Sequence, residues 1–322
     1  MTKQAFIHEL ETALAHIQKE TREEIISDIS EHFSEGATQG ISEDEICQKL
    51  GQPSSIAAQV LEAYKESQYS NEAKNYGNKE DIDINFNETI FHVDIDLPVS
   101  DVHFTPSPNG HFRVVMKRHH RLKNLDVSVK NGILGVSAKK PFLLLHLPTK
   151  NKCEATIYVP TGFAGEIKVK LGAGKISAHG THGHLNFRTG AGNIAIDECS
   201  HGNVTLNTGA GNVDLIAGET QELKINTGAG EIKAKIAKVS GESKISTGAG
   251  SIKVTAIDVA ENMKISSGMG EIKVHLPRDI HCHIATPKSG MGSVYNEIVG
   301  NPNAQHVLKT STGMGSVQLL AL

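Results

Sequence analysis

The sequence has no tryptophan, and only nine Phe and five Tyr among its 322 residues. A thick core of large aromatic side chains is therefore excluded, and the interior must be filled another way. Cysteine is sparse too. Cys47, Cys153, Cys199 and Cys282 lie far apart, with no Cys-x-x-Cys pair. That argues against a zinc site and a disulfide scaffold and leaves four reduced, half-buried thiols. No run approaches the roughly 18 apolar residues of a membrane helix; "PFLLLHLP" is the most apolar stretch and is too short. The opening "MTKQAFIHELETALAHIQKE" carries Glu early and has no uninterrupted apolar core. It reads as no signal peptide, and the expected location is the cytoplasm.

Glycine is what the sequence has in quantity. In "LKINTGAGEIKA" (residues 223–234) a Gly-Ala-Gly sits between two strand-like runs, as in a phosphate-gripping loop. The same element recurs at Gly172, Gly190, Gly209, Gly228, Gly248, Gly268, Gly290 and Gly313. Subtracting neighbouring positions gives intervals of 18, 19, 19, 20, 20, 22 and 23 residues. A period of about 20 marks a solenoid. A dinucleotide fingerprint also needs a following helix and strand, which are missing here.

One rung can be read by position. Leu223, Ile225 and Thr227 share one face; Lys224 and Asn226 share the other. After the glycines, Ile232 and Ala234 point inward, Glu231 and Lys233 outward. Stacked rungs then build ladders of Ile and Val. A column of Thr189, Thr208, Thr227 and Thr247 is placed to hydrogen-bond along the stack or to the turn. Gly-x-Gly suits a sharp corner between two sheets. Its middle residue is Ala in five copies and Met in three (Met269, Met291, Met314), marking either a wider corner or an exposed patch. The chain stops at "VQLLAL", soon after the last repeat, so an open terminal rung and end-to-end stacking are expected there.

The N-terminal part has a helical period instead. Phe6, Leu10, Leu14 and Ile17 are helically spaced. "TREE" offers a capping box at Thr21 and Glu24, ahead of a helix that buries Ile25, Ile26, Ile29 and Phe33 and frays at Gly36 or Gly40. "SEDE" repeats the device at Ser42 and Glu45, and that helix stops at Gly51. A fourth helix carries Ile56, Val60, Leu61 and Tyr64. The expected architecture is a small all-α domain at 1–68, a linker at 69–80 and an all-β domain at 81–322. The all-β part reads as a right-handed parallel β-helix: irregular leading coils at 81–160, then a solenoid of about eight regular rungs at 161–322.

Catalysis finds little support. Outward carboxylates such as Asp214, Glu231 and Glu271 fall in different columns, without the facing pair that glycoside hydrolysis uses. No Gly-x-Ser-x-Gly elbow or P-loop is present, and no cofactor is expected. His179, His182 and His184 in "HGTHGH", with His201 about a rung later, form either a metal site or a turn that tolerates His. His281 and His283 share one side of a strand. Neither group is expected to hold a metal.

Charge gives the surface signal. Residues 1–70 hold 5 Lys+Arg against 13 Asp+Glu, a balance of −8. Residues 71–322 hold 27 against 23, a balance of +4. Lys224, Lys244 and Lys264 occupy one outward place, and Lys233, Lys253 and Lys273 another. Ammonium groups about 4.8 Å apart repel by roughly 1 kcal/mol even in water. Such columns suit an anionic envelope surface or the acidic helical domain, or they serve only to keep a sheet face soluble. Nucleic acid is not expected, because no aromatics interleave the basic places.

Residues "FIHELETALAHIQKE", "EHF", "GISEDEI" and "LGQPSSIA" resemble the HAAS-type helical domain of the DUF1700 group. "IYVPTGF" followed by repeated "TGAG-x-I" resembles the DUF4097 toast-rack, or adhesin-like, β-helix. The joint architecture is similar to Gram-positive cell-envelope stress proteins. The resemblance implies a non-enzymatic sensor or regulator, associated with the membrane or cell surface, acting with envelope-stress membrane proteins and linked to antimicrobial peptides; the −8 balance of the helical domain adds cationic peptides as its expected partners. Intramolecular docking of that domain on the solenoid also follows from the charge opposition. The alternative is a structural or adhesin-like protein that assembles by end-to-end stacking.

Overall fold

A computed structural model of the chain describes residues 1–17, 19–38, 40–58, 60, 81–117, 125–138, 153–199 and 202–322. The linker expected at 69–80, Leu61 and Tyr64 of the fourth helix, and "PFLLLHLP" lie outside the described residues, as do the side chains of Thr21 and Glu24. The described residues divide into a helical unit and a β unit.

In the helical unit, α1 (Lys3–Ala13) is capped by the Thr2 hydroxyl, which accepts from the Ala5 N–H. Phe6, Leu10, Leu14 and Ile17 are all buried. The first two lie on α1 and the others just past it, so the helical spacing outlasts the helix. Helix α2 (Lys19–Thr38) starts before Thr21, so Thr21 stands inside its first turn and not at its cap. It also runs through Gly36 without fraying. A Cβ at Gly36 would overlap the Ile46 side chain, so this glycine serves close packing of α2 on α3. Phe33 meets Phe6 edge to face, with centroids 5.7 Å apart. Helix α3 (Glu43–Leu50) carries the expected capping box of Ser42 and Glu45 and ends at Gly51, where φ is 82°. Pro53 then opens a helical stretch over 53–58 that buries Ile56 and Ala57.

The β unit begins with β1 (Asp81–Phe86), β2 (His92–Pro106), β3 (Phe112–Lys117), β4 (Leu125–Lys130), β5 (Ile133–Ala138) and β6 (Cys153–Val159). Regular rungs follow: β7 (Glu166–Ala173) with β8 (Ile176–His179), β9 (His184–Ala191) with β10 (Ile194–Cys199), and β11 (Val204–Ala210) with β12 (Val213–Thr220). Next come β13 (Leu223–Ala229) with β14 (Ile232–Val239), β15 (Ser243–Ala249) with β16 (Ile252–Val259), and β17 (Met263–Met269) with β18 (Ile272–Leu276). The last are β19 (His283–Ile284), β20 (Lys288–Met291), β21 (Val294–Asn296), β22 (Val307–Met314) and β23 (Val317–Ala321).

The result is a parallel solenoid with two strands per rung. The first strand of each rung stacks into one sheet and the second into another, both in register. Apolar columns fill the space between them. Phe187, Leu206, Ile225, Ile245 and Ile265 form one ladder, each at most 1 % exposed. Phe104 stacks on Phe187 with centroids 5.5 Å apart. Ladders of this kind replace the aromatic core that the composition excludes.

Strand pairing departs from chain order at both ends. Strand β2 bends at Pro98, so it serves both sheets and lies directly against β7 and β8. The rung of β5 and β6, later in sequence, sits outside it. Antiparallel strands then finish this end: β4 on β5, and β3 with β1 on β6. At the other end β22 and β23 pair with β17 and β18, and β20 and β21 lie outside them. This corrects the expectation that "VQLLAL" forms the exposed terminal rung. That strand is covered on both sides, and the open rung is residues 283–296. The physical reason lies in the strands. β22 and β23 offer long runs with Leu308, Val317 and Leu319 inward. β20 and β21 are short and preceded by Pro287, which has no N–H to give and is tolerated at an edge.

Candidate functional site

The glycine corners do not form a phosphate grip. The Gly192 N–H donates to the Ala210 carbonyl at 2.8 Å, and the Gly211 N–H to Ala229 at 2.9 Å. Each corner therefore spends its N–H groups on the next rung, and none converge on a ligand. Gly192 has φ of 143°, and a Cβ there would overlap the Gly174 carbonyl one rung below. Glycine is needed for both reasons. The hydroxyl column closes the same joint: Thr208 donates to the Gly192 carbonyl (2.9 Å), Thr227 to Gly211 (3.0 Å) and Thr247 to Gly230 (3.2 Å). A further ladder was not read from the sequence. Asn193 Oδ1 accepts from the Asn212 N–H and Asn212 Oδ1 from the Glu231 N–H, both at 2.9 Å. Its signal was the repeated "GAGN" in the text of the repeats. The corners are architecture.

The lysines form two columns on two different sheets. Lys224, Lys244 and Lys264 align in the first sheet, and the column continues to Lys309, which the swapped rung brings beside Lys264. Lys233, Lys253 and Lys273 align in the second sheet, between Asp214 and Gln318. Carboxylates two residues away neutralise part of each. Lys224 meets Glu222 at 2.6 Å, Lys233 meets Glu231 at 2.8 Å, and Lys273 meets Glu271 at 2.9 Å. The bond from Glu231 raises the Lys233 pKa, and the bond from Lys273, with help from Ser316, lowers that of Glu271. Among the described residues, Lys244, Lys253 and Lys264 form no ion pair.

The histidines do not converge. His179 lies 3.3 Å from Asp197 and 3.9 Å from Glu198, while His184 accepts from the Asn203 N–H at 3.2 Å. His201 is outside the described residues. His281 is exposed, His283 half-buried, and Cys282 between them fully buried. Among the described residues no group of three His, Cys, Asp or Glu is placed to hold a metal. The four cysteines are all buried, more deeply than expected. Burial pushes the Cys199 thiol up to about 12, which leaves it unreactive.

Four of the nine phenylalanines gather at the leading rungs. Phe86, Phe91, Phe112 and Phe163 line a cavity of about 370 Å³, with Glu88 and His111 as its ionisable groups. Phe112 and Phe163 meet edge to face at 5.1 Å.

The open end carries the other concentration of apolar surface. Ile176, Ile194, Val213, Ile232, Ile252, Ile272 and Val317 form one ladder and are at most 1 % exposed. Val294 continues that ladder and is 45 % exposed. Met291 and Tyr295, on the same rung, are exposed too. The Tyr295 hydroxyl donates to Glu297 at 2.8 Å, and Glu297 also accepts from the Ala321 N–H at 3.1 Å, tying the last rung to β23.

No described helix is long and apolar enough to cross a membrane. Several solved structures resemble the chain. A candidate adhesin from Bacteroides fragilis is 16 % identical, with 76 % of this chain and 98 % of that one covered and a TM-score of 0.46. A candidate lipid-binding protein from Parabacteroides distasonis is 15 % identical over the same shares, also at 0.46. A candidate cell adhesion protein from Clostridium sporogenes is 15 % identical, over 75 % and 99 %, at 0.28. No curated protein matches the chain. The HAAS model matches residues 5–59, over the helical unit. The Toastrack DUF4097 model matches residues 90–319, most of the chain and all of its regular rungs, and the chain belongs to that family.

Proposed function

We propose that this protein is a non-enzymatic, adhesin-type assembly protein whose solenoid joins a second copy through its C-terminal end. The exposure of Val294 carries this reading. It is a core residue by position, exposed because among the described residues no further strand covers it. Beside it, β20 and β21 present free strand edges, which pair readily with another chain. The opposite end favours this face by contrast. Its edge strands β1 and β4 are antiparallel and carry Asp81, Asp83, Asp126 and Lys130, charges that discourage pairing. A two-fold axis needs only one such face, used by both copies. The outward carboxylates Glu231 and Glu271 are engaged by lysines, in keeping with a role without catalysis. Sedimentation velocity over a wide concentration range tests the reading. The full chain is expected to associate as concentration rises, and Val294→Lys with Tyr295→Lys to stay monomeric. A wild-type monomer throughout overturns it.

The charge balance favours a second reading, an envelope-stress sensor. The −8 of residues 1–70 attracts cationic peptides, and the +4 of the remainder, concentrated in the lysine columns, offers a surface for an anionic envelope or for the helical domain itself. Titration of the full chain with a cationic amphipathic peptide at low and high salt tests it. Binding that weakens with salt supports it, and no binding at low salt removes it.

A further inference from the structure

Met269, Met291 and Met314 occupy the middle of the corner in the last three repeats, where the other five use Ala. The swapped rung changes their order in space. Met314 lies in register with Met269 on one side and Met291 on the other. Met269, Met314 and Met291 are 49, 42 and 66 % exposed, whereas Met116 and Met263 are 0 and 1 % exposed. Packing does not ask for a long apolar chain at this place, since Ala completes the same corner elsewhere.

Three thioethers thus stand side by side on consecutive rungs, each on a flexible chain with three torsions. Neighbouring strands lie about 4.8 Å apart. Two metal–sulfur bonds of about 2.3 Å span roughly that distance. Adjacent sulfurs can therefore bracket one ion with no movement of the backbone, and the third can lean in from the next rung. Thioethers select soft ions, Cu(I) above all among biological metals. The four thiols do not compete, because all are buried. We propose that Met269, Met314 and Met291 form a thioether site for one soft monovalent metal ion, Cu(I) or its analogue Ag(I), with Met314 as the central ligand.

The site shares an end with the assembly surface but does not depend on it. Val294→Lys with Tyr295→Lys, the variant expected to stay monomeric, leaves the thioethers in place and is expected to retain the metal response. Failure of either reading leaves the other standing.

The test uses the full chain with 13C-methyl methionine, titrated with silver nitrate in chloride-free buffer. Of the six methionine methyl signals, those of Met269, Met291 and Met314 are expected to move together and saturate at one equivalent. Those of Met116 and Met263 are expected to stay. A competing chromophoric chelator then ranks Cu(I) affinity. Met314→Leu is expected to weaken binding at least tenfold, and Leu at all three positions to abolish this site. Leucine keeps the apolar bulk, so a surface that merely docks an apolar partner is unaffected. Unmoved methyl signals, or a triple variant that holds Cu(I) as tightly as wild type, overturns the proposal.

Discussion

The Ser289 hydroxyl donates to the Gly315 carbonyl at 2.8 Å, although Gly315 lies 26 residues further along the chain. In the regular rungs the relation runs the other way: Thr227 donates to Gly211, which precedes it. The reversal marks the place where the last rung in sequence, β22 and β23, sits inside the one before it.

Cross-linking reads this order directly. Met269→Cys with Met314→Cys places two thiols one rung apart, about 4.8 Å at Cα, within disulfide range. Met269→Cys with Met291→Cys places them two rungs apart, out of range. The first pair is expected to oxidise under mild conditions and the second to stay reduced, as judged by mass spectrometry.

Gly192→Ala is expected to destabilise the solenoid by about 3 kcal/mol or more, because the new Cβ meets the Gly174 carbonyl and φ is unfavourable. Gly162→Ala meets nothing within 4 Å and is expected to change stability by less than about 0.5 kcal/mol. Denaturant unfolding of both variants provides the comparison.

Thr227→Val removes the hydroxyl that donates to Gly211 and is expected to lose about 1 kcal/mol. Thr227→Ser is expected to lose less. Serine already does this work at Ser267, which donates to the Gly250 carbonyl at 3.0 Å. The same unfolding measurement separates the two substitutions.

Arg113 bonds both carboxylate oxygens of Asp83, at 2.7 and 2.6 Å, pinning edge strand β1 to β3. The bond to Arg113 holds the Asp83 pKa below its usual value. Its contribution is therefore present above about pH 4, the unfolded value, and is lost as pH falls through the lowered one. Asp83→Asn is expected to flatten the acid side of the stability curve, which unfolding midpoints between pH 5 and pH 2 would show. An unchanged acid limb would contradict the assignment.

The regular rungs were legible because each position repeats its chemistry. Ile225, Ile245 and Ile265 announce an inward column, and Lys224, Lys244 and Lys264 an outward one. The ends were not legible. Lys309 belongs to the lysine column, yet nothing in "VLKTSTGMGSV" says that it follows Lys264 and not the rung at 283–296. That order depends on which rung pairs better, a matter of strand length and of Pro287. Thr21 misled for a local reason: its capping signal lies inside a helix that already begins at Lys19. The lysine columns were visible, but their division between two sheets, and their neutralisation by Glu222, Glu231 and Glu271, needed the rung geometry.

Amide hydrogen exchange at the open end, followed against protein concentration, tests the central claim most directly. Residues 288–296 should gain protection as concentration rises, while β1 and β4 stay unchanged. Exchange at 288–296 that is indifferent to concentration, in a protein whose inner rungs are fully protected, would contradict assembly through this end.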